Sequence, residues 1–381
     1  IEMEKIVENE YSLNMNLYKE IILDVNDDFE VFELKDICNI KNGRNIPKRD
    51  RLETGIPYYG SNGITGYTDS YLYDGKHILQ GDQGSVVGSV KYVNGKFYPG
   101  NHTLVINPKS DDHNIKYIYY YIKLCLDFKD LLAGSVIPEL NQTLFRRSKI
   151  PVPTLEVQNS IVEQLDNIYE NEIESSKKIV DSLKMSIETI MKNTMYRDDL
   201  QEYKIKDVCD YDCFDYDKID TGEYKYLDIS CINTSDIKTL IGKDLPGRAK
   251  HHIQYNDVIV STVRPNLKKI MLNKDNSDNI IVTNGCCCLR SKLDKINPVI
   301  LKNILLGDIV TNHFVENTTG SQYPVISYGE VYNMNIRIPP IEVQQQILEK
   351  IEPKEQLIQD LEKNIVRAEQ EAKDIMSILF N

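Results

Sequence analysis

Two stretches of the chain place apolar residues at helical spacing between charged ones, one after Pro153 and one after Pro340. The steps of three and four are typical of a helix with a single apolar seam. The seam positions are Ile161, Leu165, Ile168, Ile179, Leu183, Ile187 and Ile190 in the first stretch, and Ile347, Ile351, Ile358, Leu361, Ile365, Ala368, Ala372, Ile375 and Leu379 in the second. Narrow seams of this kind pair best with each other, so the pattern predicts two long helices in a coiled coil.

Two irregularities are expected in these helices. The first seam is interrupted around Glu172 and Ser176. Pro353 lies about three turns into the second helix, where it should kink or restart the helix. The alternative is that each amphipathic helix packs only on its own domain, but the predicted length of both helices favours the coiled coil.

The two blocks outside these helices carry short β-branched and apolar runs, separated by Gly, Asn and Pro. Runs such as KHILQGD, GSVVGSVKYV and NIIVTNGCCCLR predict strands and turns. Residues 115–126 and 297–314 predict helices within the blocks. Each block is therefore predicted to be an α+β domain with an irregular sheet.

An internal repeat organises the chain. IPVPTLEVQNSIVEQL at 150–165 matches IRIPPIEVQQQILEKI at 336–351, and ELKDICNI at 33–40 matches YKIKDVCDY at 203–211. The first pair has a shift of 186 residues, which aligns Glu156 with Glu342. The repeat predicts five segments: a tail at 1–28, a domain at 29–153, a central helix at 154–200, a domain at 201–339 and a C-terminal helix at 340–381.

The net charge of −13 argues against nucleic acid at first sight, since phosphate contacts need Lys and Arg. However, residues 1–30, 154–201 and 340–381 together hold 28 acidic and 12 basic residues, which leaves 30 acidic and 33 basic for the rest of the chain. The two predicted domains are therefore mildly basic, which is compatible with DNA binding. The sequence contains no run of about 18 apolar residues, so it predicts no membrane-spanning helix. The acidic start is unlike a leader, and the absence of an initial Met suggests a fragment, a fusion remnant or a processed product.

The search for catalytic and metal motifs in the sequence is negative. We find no Asn-Pro-Pro-[Tyr/Phe] of the adenine methylase type, no Gly-rich turn for S-adenosylmethionine and no Walker lysine loop. The eight cysteines form no C-x-x-C pair, and free thiols in this number point to a reducing cytoplasm. Cys286–Cys288 lie in an apolar run that suits a buried strand. A metal site at Cys209, Cys213 and Cys231 is the weaker alternative.

The order of motifs resembles a known family. ELKDICNIKNGRNIPK, IPYYGSNGITGY, GSVVGSVKYV and YPGNHTLVI, followed by AGSVIPELNQTLFRRSKIPVP, look like a target recognition domain. The closing pattern I-x-[IV]-P-x-x-E-x-Q-x-x-I resembles the helix entry of type I restriction–modification specificity subunits. The resemblance covers about 30–381, twice over. The second copy departs from the first, with KYLDISCINTSDIK in place of IPYYGSNGITGY and a different proline spacing in IRIPPIEVQ.

The resemblance implies a non-catalytic subunit that binds double-stranded DNA at a two-part target. It implies two target recognition domains on an antiparallel coiled coil with pseudo-twofold symmetry. It further implies that the chain is cytoplasmic and binds two N6-adenine methyltransferase subunits, which would hold the S-adenosylmethionine. In some members of the family an ATP-dependent restriction subunit binds as well. An alternative is the C-terminal recognition region of a fused methyltransferase–nuclease, because IVENEYSLNMNLYKE resembles the end of the methylase partner; a plain tail is equally compatible. A coiled-coil scaffold without DNA binding is a third possibility.

Polar loops beside basic residues supply the candidate DNA contacts, because Asn and Gln can pair with adenine, Arg with guanine, and Lys with phosphate. The candidates are Arg44, Lys48, Arg49, Asn62, Ser85, Lys91, Asn101, His102, Asn141, Gln142, Arg146 and Arg147 in the first domain, and Arg264, Asn266, Lys268, Lys269, Thr283, Asn284, Ser321 and Gln322 in the second. The resemblance places the candidate partner contacts at Glu156, Gln158, Glu342 and Gln344. The tyrosines at 58–59 and 117–121 are expected to pack in the core rather than stack on bases.

Overall fold

The computed structural model describes residues 29–83, 87–133, 138–210, 221–232, 237–320 and 323–380. The chain divides into two compact units. Unit 1 holds residues 1–177 and 362–381, and unit 2 holds residues 178–361. Residues of both long helices belong to both units, whereas the sequence analysis predicted each helix as a separate segment. The predicted tail at 1–28 lies outside the described residues.

Unit 1 contains the elements of the first predicted domain. Its strands and helices are β1 (Glu30–Glu33), α1 (Leu34–Ile37), β2 (Cys38–Asn42), β3 (Ile56–Gly60), β4 (Gly63–Thr68), β5 (Lys76–Gly81), β6 (Val90–Asn94), β7 (Tyr98–Pro99), β8 (Thr103–Pro108), α2 (Ile115–Leu124), β9 (Leu132–Ala133), β10 (Glu139–Leu140), α3 (Gln142–Arg146) and β11 (Lys149–Val152). One sheet has the order β2-β8-β5-β6 and a second the order β4-β3-β7, in which β3 and β7 run parallel. β1 pairs antiparallel with β11 and so joins the two ends of the domain.

Helix α2 fills the core of unit 1. Its N-cap Asn114 accepts hydrogen bonds from the backbone of Lys116 and Tyr117, which satisfies two free N–H groups of the first turn. Tyr117 and Tyr121 are fully buried, and their hydroxyls donate to carbonyl oxygens of β11. Buried tyrosines with satisfied hydroxyls confirm the predicted core role of this segment.

Long helices follow β11, and the second domain comes after them. The elements are α4 (Leu155–Asn167), a π-helical segment (Ile168–Glu174), α5 (Ser175–Met195), β12 (Gln201–Lys204), α6 (Ile205–Val208), β13 (Cys209–Asp210), β14 (Glu223–Leu227), β15 (Lys238–Ile241), β16 (Ala249–Ile253), β17 (Val258–Ser261), β18 (Ile270–Leu272), β19 (Ile280–Thr283), β20 (Cys286–Ser291), α7 (Pro298–Leu305), α8 (Asp308–Glu316), α9 (Tyr328–Asn333), β21 (Asn335–Ile338) and α10 (Ile341–Ser377), which ends in a 3₁₀ turn, Ile378–Phe380.

Unit 2 repeats the topology of unit 1. β12 pairs with β21 as β1 does with β11. The sheet order β13-β20-β17-β18 matches β2-β8-β5-β6, and the parallel pair of β14 and β19 matches that of β3 and β7. β16 and α8 have no counterpart among the described elements of unit 1. Cys286–Cys288 are buried in β20, as the apolar run predicted. The duplication read from short motifs therefore extends to the main sheet, the parallel strand pair and the pairing of the domain ends.

The two long helices contribute to both cores. In unit 1, Leu165 of α4 and Ala372 of α10 lie in one apolar cluster; in unit 2, Ile187 of α5 and Ile351 of α10 do the same. The seams thus also pack on the domains, and their pairing as a coiled coil stays a prediction. In the described parts of the chain, no helix has the length and apolar character needed to cross a membrane.

One of the two predicted irregularities can be located in these helices. The π-helical segment Ile168–Glu174 coincides with the interruption of the first seam, because an i→i+5 turn inserts a residue and shifts the apolar face. At Pro353 the predicted restart is wrong, since α10 continues through it, and the alternative, a kink, stays a prediction. Ile351 and Ile358, on either side of the proline, are both buried in the core of unit 2. Tertiary packing therefore holds the helix through a residue that lacks a backbone donor.

Lys123, near the end of α2, lies in an aromatic pocket of unit 1. Its ammonium group is 3.6 Å from the centroid of the Tyr169 ring and 3.2 Å from the hydroxyl of Tyr119. Burial lowers the pKa of Lys123 to about 8, and the charge of Lys177 acts in the same direction against opposing carboxylates. The folded chain therefore binds this proton less tightly than the unfolded chain does.

We expect this lysine to make stability rise with pH in the alkaline range. A lysine with a folded pKa below its unfolded value of about 10.4 opposes folding at low pH, and this opposition disappears as the pH rises from about 8 towards 10. Urea unfolding at pH 7, 8, 9 and 10 measures the effect. Burial raises the pKa of cysteines such as Cys209, and this lowers the stability of the whole chain over the same pH range, so the effect of the lysine is measured as a difference. The free energy of unfolding of the unaltered chain minus that of Lys123→Met should rise from pH 8 to pH 10, whereas the difference from Lys129→Met, at an exposed site, should stay constant. A difference from Lys123→Met that does not change with pH would contradict the assignment.

Candidate nucleic-acid interface

A buried carboxylate, Asp82, organises the polar loops of unit 1. It follows β5 and is 5% exposed. One carboxylate oxygen accepts a 3.0 Å hydrogen bond from the amide nitrogen of Gln142, and the other lies 3.4 Å from Nδ1 of His102. The backbone carbonyl of Asp82 accepts from the N–H of Leu140 at 2.7 Å. Two predicted contacts from distant parts of the sequence are therefore held by one buried group.

The turn between β3 and β4 packs against the same place. The hydroxyl of Ser61 donates to the carbonyl of His102 at 3.0 Å. Gly81 allows this approach, because a Cβ there would lie 2.4 Å from the carbonyl oxygen of Ser61. The exposed side chains of Asn62 and Asn101 flank the contact. The turn therefore brings further predicted residues to the surface around His102.

Two basic residues border this surface. The backbone N–H of Arg44 donates to the carbonyl of Pro99 at 2.8 Å, next to the β7–β8 turn, and its side chain is exposed. The ammonium group of Lys91 lies 3.4 Å from the position that a Cβ on Gly63 would take. Arg44, Asn62, Lys91, Asn101, His102 and Gln142 thus form one polar surface, which we call the His102 surface.

Other predicted residues of unit 1 have local structural contacts. The guanidinium of Arg146 donates to the carbonyl of Ile40 at 2.9 Å, and burial lowers its pKa. Arg147 lies 3.9 Å from the carboxylate of Glu33. The side chain of Asn141 caps α3. Lys48 and Arg49 are exposed on a 3₁₀ turn, and Ser85 lies outside the described residues.

In unit 2 the predicted contacts gather on a tight turn between β17 and β18. The 3₁₀ segment Pro265–Leu267 is flanked by Arg264 and Lys268, which both have a φ of 49°. Residues other than glycine rarely adopt this left-handed backbone conformation. It costs about 1–3 kcal/mol per residue and persists where the surrounding structure enforces it. The N–H of Arg264 donates to the carbonyl of Pro324 at 2.8 Å, and the ammonium of Lys268 lies 2.7 Å from Asp308. Anchored contacts on both sides hold the turn.

The turn exposes side chains of mixed chemistry. The guanidinium of Arg264 lies 5.2 Å from the ring centroid of Tyr323, itself 66% exposed. Asn266 is exposed, and Leu267 is 53% exposed. We call Arg264–Lys268 the Arg264 turn.

Asn284 lies beside Arg248, a residue of another loop that the sequence analysis missed. The N–H of Asn284 donates to the carbonyl of Arg248 at 2.8 Å. The guanidinium of Arg248 donates to the hydroxyl of Tyr226 at 3.2 Å and pairs with Asp228, and both contacts raise the pKa of Arg248. The motif LPGRAK looks like an ordinary turn, and only the pairing of β16 with β19 brings it beside Asn284.

Not every candidate in unit 2 is accessible. Thr283 is 1% exposed within β19. The ammonium of Lys269 donates to the carbonyl of Ile229 at 2.9 Å. Both residues therefore have internal roles in this structure. Ser321 and Gln322 lie outside the described residues.

The two repeated glutamines lie inside their units. Gln158 is 1% exposed; it accepts from the N–H of Asn114 at 2.8 Å and donates to the carbonyls of Asp112 and Pro153 at 3.2 and 2.8 Å. These bonds tie the start of α4 to the cap of α2. All three partners are main-chain atoms.

Gln344 makes the same set of bonds in unit 2. It is 2% exposed, accepts from the N–H of Asn297 at 2.9 Å and donates to the carbonyls of Lys295 and Pro339 at 2.9 and 3.0 Å. Side chains this enclosed and satisfied are not free to meet a partner. We therefore assign both glutamines a structural role in place of the predicted partner contact.

The residues in front of these glutamines are exposed in both repeats. Leu155 is 40% and Ile341 is 44% exposed, at equivalent positions in the first turn of each helix. Glu156 and Glu342 follow them and are exposed too. The structure thus presents one small apolar and acidic surface twice.

The cysteines give no sign of a metal centre. Burial raises the pKa of Cys209 to about 12, and this thiol packs in a different apolar cluster from Cys231. Within the described ranges, no group of three His, Cys, Asp or Glu side chains could hold a metal ion. Cys213, the third member of the alternative site, lies outside those ranges.

Comparison with protein families gives a match that covers most of the chain. The model of the type I restriction modification DNA specificity domain matches twice, at residues 26–185 and 197–368. The two matches correspond to the two repeats found in the sequence.

Individual relatives carry related names. A putative type I restriction enzyme specificity subunit of Haemophilus influenzae is 33% identical over 138 residues, which is 35% of this chain and 35% of that protein. The MjaVIII specificity subunit of a type I restriction enzyme from Methanocaldococcus jannaschii is 22% identical over 408 residues, covering 94% of this chain and 93% of that protein. The matching stretch spans only about a third of several curated relatives, at 35%, 30% and 34% of their lengths.

A solved structure shares the fold. The crystal structure of a type I restriction-modification system S subunit from M. genitalium aligns with a TM-score of 0.54 and 14% identity. The alignment covers 95% of this chain and 98% of that chain. At this identity the likeness concerns the fold alone.

Proposed function

Because this chain belongs to the family of the type I restriction modification DNA specificity domain, we propose that it is the subunit that selects the DNA target of such a system. It binds double-stranded DNA at a bipartite sequence, with one recognition domain on each half. The chain itself performs no chemistry and carries neither metal nor cofactor. It acts in the cytoplasm, where host DNA is accessible.

The observation that carries this proposal is the contrast between shared topology and different loops. The sheets β2-β8-β5-β6 and β13-β20-β17-β18 have the same order, but unit 1 presents the His102 surface and unit 2 presents the Arg264 turn. Amide and guanidinium groups of this kind distinguish bases in the major groove. Two scaffolds of one fold with unlike loops suit two unlike half-sites.

The partners in the proposal are two N6-adenine methyltransferase subunits, with S-adenosylmethionine bound to them. Support comes from the repeated surface of exposed Leu155, Glu156, Ile341 and Glu342, since two equal surfaces suit two copies of one partner. An ATP-dependent restriction subunit is a further proposed partner. The relatives described above are specificity subunits and give no support to a fused methyltransferase–nuclease.

The test is modification mapping. The chain is co-expressed with the methyltransferase encoded beside it, and host DNA is sequenced by a method that reports N6-methyladenine. We expect a two-part motif with an unspecified gap. Replacing residues 202–335 with the same block of a relative should change one half of the motif and leave the other half and the gap unchanged.

The reciprocal exchange of residues 29–153 is the matched control and should change only the other half. A continuous motif, or a motif that changes as a whole in either exchange, would contradict the proposal that two domains recognise the two half-sites independently. Absence of methylation despite a soluble complex of the chain with the methyltransferase would contradict the proposed role in target selection, because the enzyme would then be bound without being directed to DNA.

A further inference from the structure

We propose that Leu267, at the tip of the Arg264 turn, reads the 5-methyl group of a thymine in the half-site bound by unit 2. This inference rests on the proposed function and adds a base identity to it. The half-site of unit 2 should therefore contain a thymine that is recognised through its methyl group.

The first support is the position of the side chain. Leu267 is 53% exposed, although it lies between Arg264 and Lys268 on a turn that otherwise presents polar groups. Ile309 in the first turn of α8 is 75% exposed, and its neighbour Asp308 is paired with Lys268 at 2.7 Å. Helix α8 packs on this turn, and Leu267 is the exposed apolar side chain between the two cationic residues of the turn.

The second support is that the turn is held rigidly. Pro265 is buried, the N–H of Leu267 donates to the carbonyl of Arg264 at 2.9 Å, and Arg264 and Lys268 are both left-handed. Strained backbone of this kind persists where function or packing enforces it. Because the turn is fixed, Leu267 loses little conformational entropy when DNA binds. This favours specific recognition of a single methyl group over nonspecific apolar contact.

Base chemistry identifies the ligand. Thymine alone among the four bases carries a methyl group on the major-groove edge, and apolar side chains distinguish it by contact. The neighbouring Arg264 and Lys268 would meet base edges and phosphates of the same groove. A leucine beside the exposed guanidinium of Arg264 therefore fits a thymine methyl group next to phosphates better than an apolar protein surface, against which that guanidinium would lose its water.

The experiment is a two-by-two comparison on the motif found by modification mapping. The full chain in complex with its methyltransferase is titrated against duplexes in which each thymine of the unit 2 half-site is replaced in turn by deoxyuridine, which lacks only the methyl group. We expect one replacement to weaken binding about fourfold, the value of one buried methyl-sized group. Leu267→Ala should weaken binding to the thymine duplex and remove the difference between thymine and uracil at that position.

Leu293→Ala is the matched control, because this leucine of unit 2 is 71% exposed and lies outside the Arg264 turn; it should keep the difference. Arg264→Ala should weaken binding to both duplexes and so reports the proposed function separately. The inference is overturned if the half-site has no thymine, if no replacement weakens binding, or if Leu267→Ala keeps the full difference. If the unaltered complex shows no sequence-specific binding to DNA, the proposed function itself is overturned.

Discussion

Replacing Asp257 with alanine is expected to lower the free energy of unfolding by about 3 kcal/mol, the lower end of the loss for a buried ion pair, because the side chain of its partner Arg290 is 32% exposed. Asp257 is fully buried just before β17. Its two oxygens accept from Nε and Nη2 of Arg290 in β20 at 2.8 and 2.7 Å, and from the N–H of Gln254 at 2.7 Å. The hydrogen bond to Asp257 raises the pKa of Arg290.

The loss is large because Arg290 would keep its charge beside the sheet of unit 2 without its bidentate partner. Urea unfolding followed by circular dichroism measures the difference. Asp294→Ala is the control, since this carboxylate is exposed and should change stability by less than about 0.5 kcal/mol. A loss below about 1 kcal/mol in Asp257→Ala would show that water or nearby groups replace the carboxylate.

Replacing Gln344 with leucine should lower the free energy of unfolding by about 2–4 kcal/mol, and Gln158→Leu should do the same in unit 1. Leucine has a similar volume but cannot bond to the N–H of Asn297 or to the carbonyls of Lys295 and Pro339. These buried backbone groups would lose their partners. An unpaired buried polar group costs more than the bond itself contributes.

Thermal or urea unfolding of each variant tests this, with Gln345→Leu as the control at the next, exposed position. The same variants distinguish the structural role from the predicted partner contact. A structural glutamine lowers stability in the isolated chain. If Gln344→Leu kept full stability and instead released the methyltransferase in a pull-down, the structural assignment would be wrong.

Features with a long periodic or repeated signal could be predicted from the sequence. The helices that contain Ile187 and Ile351 were predicted because their seams extend over many turns, and tertiary packing agrees with that pattern. The duplication was detectable because the EVQ motif recurs at a shift of 186 residues, which also aligns Pro153 with Pro339. The buried role of Tyr117 followed from its place on an amphipathic segment.

Features that depend on pairing between distant strands could not be predicted. Thr283 is indistinguishable in composition from a loop residue, yet the register of β19 against β16 buries it. Asp82 was not considered, because its role depends on Gln142, sixty residues away, being brought beside it. The restart at Pro353 was wrong because local propensity lost to the packing of Ile351 and Ile358.

The repeated glutamines also bear on how such chains change their target. Gln158 and Gln344 bond to main-chain N–H and carbonyl groups of the recognition domains, which every sequence supplies at those positions. A domain with entirely different loops can therefore be joined to the same helix without a matching change in the helix. These glutamine bonds do not depend on the side chains of the domain, so we expect this part of the joint to persist when recombination between relatives exchanges one domain for another.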